Sequence, residues 1–270
     1  MPHAEANGQR LYYEVNGEGD PLLCVMGLGT DHLGWLPQMR DFSDAHRTVV
    51  FDNRDVGQSS YADGPYEISD MAEDALALAD ALELDTFHLL GESMGGAISQ
   101  EMALAAPERI RTLTLAVSYG GFGAWGRSRA IARLGNPETF DFEEFIDEML
   151  VRTLSEELHD KNPEMVAYVK QAMLAHPHPQ APEAFVRQAE ASGRHETRDR
   201  LPQLSMPVHV IGAEFDFMVP VWKSKELAEL IPGAKLTIIE RAPHAVNIER
   251  AGEFNRAVLD FIAAAEPARA

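Results

Sequence analysis

Leu89-Leu90-Gly91-Glu92-Ser93-Met94-Gly95-Gly96-Ala97 is the stretch whose reading decides the fold of this chain. The apolar run at 87–90 has the length of a buried strand, and 97–106 has the composition of a helix, stopped by Pro107. Between them stands Gly-x-Ser-x-Gly. A strand that turns into a helix over so few residues holds its central serine on strained backbone, and glycines on both sides let neighbouring chain pass close by. The Ser93 hydroxyl then stands exposed at the end of a sheet, as a candidate nucleophile. The same five-residue pattern also occurs in ordinary turns, so its meaning depends on the context supplied by the rest of the chain.

That context is an alternation of strands and helices. On the N-terminal side, residues 11–15 and 22–26 read as strands separated by a Gly/Asp/Pro turn. Residues 31–45 read as a helix, 48–52 as a strand, and the apolar residues at 68, 71, 72, 75, 76, 79 and 82 mark an amphipathic helix. Residues 113–117 give the next strand. The alternation stops near Gly120, and helical patterns such as 142–154 and 165–174 occupy the chain up to about Pro202, with no strand pattern among them. It resumes with a strand at 208–212, a helix at 222–230, a strand at 236–239 and a last helix carrying Phe254, Val258, Phe261 and Ile262. Alternation of this kind predicts an α/β fold, with a mostly parallel central sheet flanked by helices. The expected organisation is a core from 1–120 and 202–270, interrupted by a helical insertion at 121–201.

The chain has 270 residues, 45% of them hydrophobic, which is enough for a sizeable core. Its 43 acidic and 23 basic residues give a net charge of −20. A nucleic acid or an anionic membrane would repel such a surface, so neither is expected as a partner. The single cysteine, Cys24, sits in an apolar strand pattern, forms no intramolecular disulfide and is expected to be a buried thiol in a reducing compartment. With no leader-like segment and no run approaching about 18 apolar residues, the expected location is the cytoplasm.

A serine hydroxyl needs a base within hydrogen-bond reach, and the base needs an orienting carboxylate. Asp216 follows the strand at 208–212 and His244 follows the strand at 236–239, so with Ser93 all three lie after the carboxyl ends of strands, where open α/β sheets bind ligands. Glu214 is the rival carboxylate. Asp216 is preferred because Phe217-Met218-Val219-Pro220 leads directly into the next helix. Most of the ten histidines read as surface, strand or helix residues. His176 and His178 lack the further ligands that zinc requires, and no metal is expected. The oxyanion of acyl transfer needs backbone donors, which fall to the amide of Met94 and to that of Leu28 in Gly27-Leu28-Gly29. That glycine-bearing loop matches neither dinucleotide nor phosphate motifs, and no cofactor is expected.

Met26-Gly27-Leu28-Gly29, Asp52-Asn53-Arg54-Asp55-Val56-Gly57-Gln58-Ser59, Gly91-Glu92-Ser93-Met94-Gly95-Gly96, Asp216-Phe217-Met218-Val219-Pro220, Ile231-Pro232-Gly233-Ala234, and His244 with Glu249 and Phe254 together resemble the α/β-hydrolase superfamily over nearly the whole chain. Within it the chain resembles the group of 3-oxoadipate enol-lactonases, arylesterases, acyl-homoserine lactonases and perhydrolases. Met26 stands where that family usually has a histidine, and Ala213 and Pro243 replace usual glycines. The serine separates the chain from branches that carry Asp at that place.

The resemblance implies that the insertion is a cap and that the chain is a serine hydrolase of small-molecule carboxylic esters or lactones, acting through an acyl-enzyme. Trp35, Phe122, Trp125 and Met218 are the residues expected to line its substrate pocket. Perhydrolysis or amide cleavage on the same triad is an alternative. So is a slow-turnover signalling receptor of this fold, since fold alone does not fix function.

Overall fold

The computed structural model describes residues 2–123, 136 and 138–265. The chain opens with β1 (His3–Ala6) and β2 (Gln9–Asn16), followed by β3 (Pro21–Val25), α1 (Leu36–Ala45), β4 (Arg47–Phe51), α2 (Ile68–Ala81), β5 (Phe87–Glu92), α3 (Met94–Ala105) and β6 (Ile110–Ala116). Helices α4 (Phe142–Thr153), α5 (Glu156–Lys161), α6 (Pro163–Leu174) and α7 (Pro182–Arg194) come next. Then the alternation resumes with β7 (Val208–Ala213), α8 (Val221–Leu230), β8 (Lys235–Ile239), α9 (Val246–Glu249) and α10 (Ala251–Ala265).

The strands form one eight-stranded sheet in the order β1-β2-β4-β3-β5-β6-β7-β8. β1 and β2 pair antiparallel, as do β2 and β4, and every later pairing is parallel. Side chains alternate across a strand, so each of the central strands feeds two cores. Leu23, Val25, Leu89 and Leu113 face the layer of α2 and α3, packing with Met71, Ala75, Leu78, Ile98 and Met102. Leu22, Cys24, Leu90 and Ala116 face the other layer, with Phe42 of α1 and Phe254, Val258 and Ile262 of α10. Burial on both faces explains why all six residues of β5 are buried. Cys24 is buried in β3, and that burial pushes its thiol pKa up, which keeps it protonated.

The sequence from β3 to β4 runs to one side of the sheet and the sequence from β4 to β5 crosses to the other. The loops after β3 and β5 therefore border the crevice where strand order reverses, the place where such sheets take up ligands.

Several boundaries differ from expectation. The segment expected as one helix at 31–45 is a 3-10 turn, His32–Trp35, followed by α1. Pro37 lies in the first turn of that helix, where a missing N–H costs nothing. β1 carries too little apolar pattern to be read as a strand, yet it pairs with β2 through a turn in which Asn7 and Gly8 both have positive φ (49° and 74°). That Asn-Gly pair is the hairpin signal. Among the described residues, no helix is long and apolar enough to cross a membrane.

Candidate active site

Ser93 caps the N-terminus of α3 at φ 55°, ψ −118°, a conformation that costs a non-glycine residue on the order of 1–3 kcal/mol. Its surroundings enforce it. The Ser93 amide donates to the Ala116 carbonyl (2.9 Å), and the Ser118 hydroxyl donates to the Ser93 carbonyl (2.8 Å). A methyl at Gly91 would overlap the Gly95 carbonyl, and one at Gly95 would overlap the Val25 carbonyl. Only glycine at both places lets β5 turn directly into α3 beneath the loop after β3.

His244 reaches the serine from the loop after β8, with Nε2 3.1 Å from Ser93 Oγ. Its Nδ1 lies 2.8 Å from Asp216 Oδ2, in the loop after β7. Because a carboxylate only accepts, that nitrogen carries the proton, which leaves Nε2 of the neutral ring free to accept from the hydroxyl. The other carboxylate oxygen of Asp216 accepts from the amides of Met218 and Val219, both at 2.8 Å, so the side chain is locked. Glu214 points elsewhere and accepts from the Arg241 amide.

His244 is held between opposing influences. Burial disfavours its charged form, but the charge and hydrogen bond of Asp216, helped by Glu92, outweigh that and raise its pKa to about 9. Glu92 itself is pushed up to about 7, first by burial and further by Asp216, against the lowering influence of His244 and the Gly27 amide.

Met94 opens α3, and its amide is one of the helix-terminal donors left without an intrahelical partner. Leu28 lies across from it, and both line the same cavity as Ser93 and His244. The Gly27–Gly29 loop is fastened from several sides. Asn53 Nδ2 donates to the Met26 carbonyl (3.0 Å), and the Gly29 amide donates to Gln188 Oε1 (3.1 Å). Gln188, on α7, is completely buried, and its Nε2 donates to the Arg54 carbonyl (2.7 Å). Sequence reading missed Gln188, because a glutamine on an otherwise polar helix carries no sign of such a position.

The polar loop after β4 is structural. Arg54 makes a two-pronged pair with Asp74 of α2 (2.6 and 2.7 Å), and Asp55 receives a second such pair from Arg187 of α7. Asp31, His32 and Asp52 bring metal-ligand atoms within 4.8 Å of one another. Those atoms are already engaged. Asp52 accepts from the His32 amide, from His32 Nδ1 and from the Gln58 amide, and Asp31 faces His176 Nε2 at 3.0 Å.

The cavity above Ser93 has a volume of about 1140 Å³. Its apolar wall comes mostly from α4, α6 and α7, including Phe145, Ile146, Met149, Met173 and Phe185. Phe145 and Phe185 meet edge to face with ring centroids 4.9 Å apart. Phe122 and Met218 lie in this lining. Trp35 does not. Its position at the end of the 3-10 turn directs the indole into the sheet's second core, fully buried and packed against Phe254, while neighbouring Leu33, Gly34 and Leu36 line the cavity instead. Trp125 lies outside the described residues.

The chain is 29% identical over 269 residues to the Azorhizobium caulinodans protein named "Putative carbamate hydrolase RutD", covering 97% of this chain and 98% of that one. It is also 29% identical over 251 residues to 3-oxoadipate enol-lactonase 2 of Acinetobacter baylyi, covering 92% and 91%. The crystal structure of the enol-lactonase from Burkholderia xenovorans LB400 superposes with a TM-score of 0.86 at 28% identity, over 97% of this chain and all of that one. Residues 20–251 match the family model of the alpha/beta hydrolase fold. With its sheet order, its crevice at the strand reversal and these relatives, the chain belongs to the alpha/beta hydrolase family and is a hydrolase.

Proposed function

We propose that the protein is a serine hydrolase of small carboxylic esters or lactones, with α4–α7 acting as a cap over the reacting centre. The single observation that carries this reading is the run of contacts from Ser93 Oγ to His244 Nε2 (3.1 Å) and from His244 Nδ1 to Asp216 (2.8 Å), placed at the floor of an apolar cavity. Ser93 attacks the carbonyl carbon and passes its proton to His244. Asp216 holds the imidazole in the tautomer that can receive it. The oxyanion is met by the amides of Met94 and Leu28, and each such donor is worth roughly 10²–10³ in rate. His244 returns the proton to the leaving alcohol, or to the ring oxygen of a lactone. A water then loses a proton to His244 and cleaves the acyl-enzyme. No step calls for a metal or redox group. Aromatic and aliphatic walls fit an apolar acyl group.

The test is a panel of p-nitrophenyl esters of increasing acyl length, simple lactones and aryl carbamates, with peroxide added in parallel, run on the wild-type chain and on Ser93→Ala. The reading expects ester or lactone turnover that disappears in the variant. Equal turnover by both proteins refutes the nucleophile. Turnover of carbamates alone would transfer the same residues to the reaction named for the Azorhizobium relative.

A further inference from the structure

The serine reaction gives no task to Glu92, the ionisable side chain beside the nucleophile. Glu92 ends β5 immediately before Ser93 and is only 6% exposed. Its Oε1 lies 3.8 Å from His244 Nε2, the nitrogen that faces the nucleophile. On the other side the carboxyl accepts from the Gly27 amide, and a Cβ at Gly27 would stand 2.7 Å from Oε2. One rigid side chain thus touches the start of the oxyanion loop and the edge of the imidazole. Asp216 sits at the opposite nitrogen, so the ring lies between two carboxyl groups.

A carboxyl buried at this place is costly unless it is compensated. An amide or a leucine would fill the same volume. The separation of 3.8 Å is too long for a hydrogen bond, so Glu92 attracts a positive imidazolium without capturing the proton that His244 must hand to the leaving group. The loop contact has its own value. By accepting from the Gly27 amide, the carboxyl holds the start of the Gly27–Leu28 peptide that carries the Leu28 amide.

We propose that Glu92 is a positioning residue of the hydrolytic machinery, which fixes the Gly27–Leu28 peptide and stabilises the charge that His244 acquires when it takes the proton of Ser93. The proposal rests on the serine-hydrolase reading. Glu92 neither gives nor receives a proton in the step: the proton leaves Ser93 Oγ, resides on His244 Nε2 and departs with the leaving group. Among the described residues, the ionisable groups that face Glu92 are His244, from the loop after β8, and Asp216, from the loop after β7. From the loop after β3 the Gly27 amide donates to it. Burial keeps the carboxyl near neutrality in its titration, so its charge is present over the range in which His244 must act as a base.

The experiment compares the full-length wild-type chain with Glu92→Gln and Glu92→Leu. The rate of phosphonylation of Ser93 by a fluorophosphonate is followed against pH by mass spectrometry. The titration of His244 is read in parallel from ¹⁵N-histidine NMR, which needs no reaction. Glu92→Gln keeps an acceptor for Gly27 but removes the charge. It should lower the midpoint of His244 by about one pH unit in both measurements and slow labelling on the plateau about tenfold, one unit being a factor of ten. Glu92→Leu should show the same midpoint and a further loss of about tenfold, since the loop is also released. Curves for Glu92→Gln that superpose on wild type, or a slower plateau with an unmoved midpoint, overturn the proposal. Should Glu92→Gln fail to fold, Glu92→Asp replaces it: with the charge retained, the midpoint stays near wild type while the plateau drops, and a midpoint that falls as far as expected for Gln refutes the electrostatic role. If Ser93 of the wild-type chain is not labelled at all, the hydrolase reading fails, and the NMR titration alone then decides whether the Glu92 charge reaches His244.

Discussion

Replacing Gln188 with Met asks whether the helices over the cavity shape the reacting centre as well as the pocket. The glutamine is completely buried, and its amide joins three partners: the Gly29 N–H (3.1 Å), the Arg54 carbonyl (2.7 Å) and Gln180 Nε2 (3.1 Å). Methionine has similar volume but satisfies none of them. A buried polar group left without a partner costs about 1–3 kcal/mol. Gly29 and Gln180 are only half-buried and can recover water, whereas the hydrogen bond to the Arg54 carbonyl is buried, so the loss of stability should be about 2–4 kcal/mol. In a chain of this size that lowers Tm by roughly 4–16 °C.

The catalytic effect has a separate ceiling. Gly29 holds φ +72°, and without Gln188 the Gly29 end of the loop is released, so that the neighbouring Gly27–Leu28 peptide, which carries the Leu28 amide, loses its anchor opposite the oxyanion. Complete loss of one donor is worth roughly 10²–10³ in kcat, and a loosened donor should cost about 10- to 100-fold. KM should change little, because the contact is made to the developing charge and not to the acyl chain. Gln188→Glu, which keeps the acceptor for Gly29, should recover most of kcat while staying destabilised. The assay is steady-state hydrolysis of the best ester of the panel beside thermal denaturation of the same preparations. A Gln188→Met enzyme with the expected drop in Tm but a wild-type kcat would refute the coupling between α7 and the oxyanion loop.

Asp216→Asn removes the chief influence that raises the His244 pKa, so the midpoint of the acid limb of kcat/KM should fall and the plateau should drop by about 10³–10⁴ as the imidazole loses its tautomer; a pH–rate series checks both. In the wild-type chain His244 and Glu92 both have pKa values raised by the fold, to about 9 and about 7. For a raised pKa the linked stability is present at low pH and is lost as pH rises through the folded value; the Glu92 share goes between about 4.5 and 7 and the His244 share between about 6.5 and 9, so Tm should decline from about pH 6.5 to 9, and a rising Tm in calorimetry over that window would contradict it. Asp55→Asn breaks the two-pronged contact with Arg187, and because Asp55 is fully buried while Arg187 is partly exposed the cost should be about 2–4 kcal/mol, read from urea unfolding. Phe145→Ala opens the wall opposite Phe185 and should shift the preferred acyl chain toward longer esters, changing the long-to-short ratio of kcat/KM by about tenfold.

The residues that were legible in the sequence share one property: each follows a strand. Ser93, Asp216 and His244 could be placed because local pattern reveals strands and the ends of parallel strands gather in one crevice. Gln188, Glu92 and Trp35 were not legible for three different reasons. Gln188 owes its burial to packing between α7 and the loops after β3 and β4, contacts 134 to 159 residues apart in sequence. Glu92 occupies a motif position that admits any residue, so its identity carried no weight. Trp35 sits beside cavity residues in sequence, but one step around a 3-10 turn moves a side chain from the cavity into the core. The β1–β2 hairpin was announced by Asn7-Gly8, and was overlooked because the polar edge strand gave no apolar alternation.

The division between reaction and selectivity follows from the same geometry. The groups of the reacting centre all come from the ends of β3, β5, β7 and β8, the β7 loop orienting His244 through Asp216, and their positions are fixed by a sheet buried on both faces. The apolar wall comes from α4, α6 and α7; α4 and α6 share a small core around Ile146, Leu150 and Leu154 that also takes in Ala245, while α7 joins the main core through Ala191 and the polar contact Asp55–Arg187. Changes at wall positions away from Ala245, such as Phe145, should therefore alter the acyl group with little movement of the reacting atoms. Gln188 lies behind the wall, a buried residue of α7 hydrogen-bonded to the oxyanion loop. Substitutions in the wall itself should separate specificity from rate, while those that shift α7 along its axis should change both, because they pull on the Gly29 amide through Gln188.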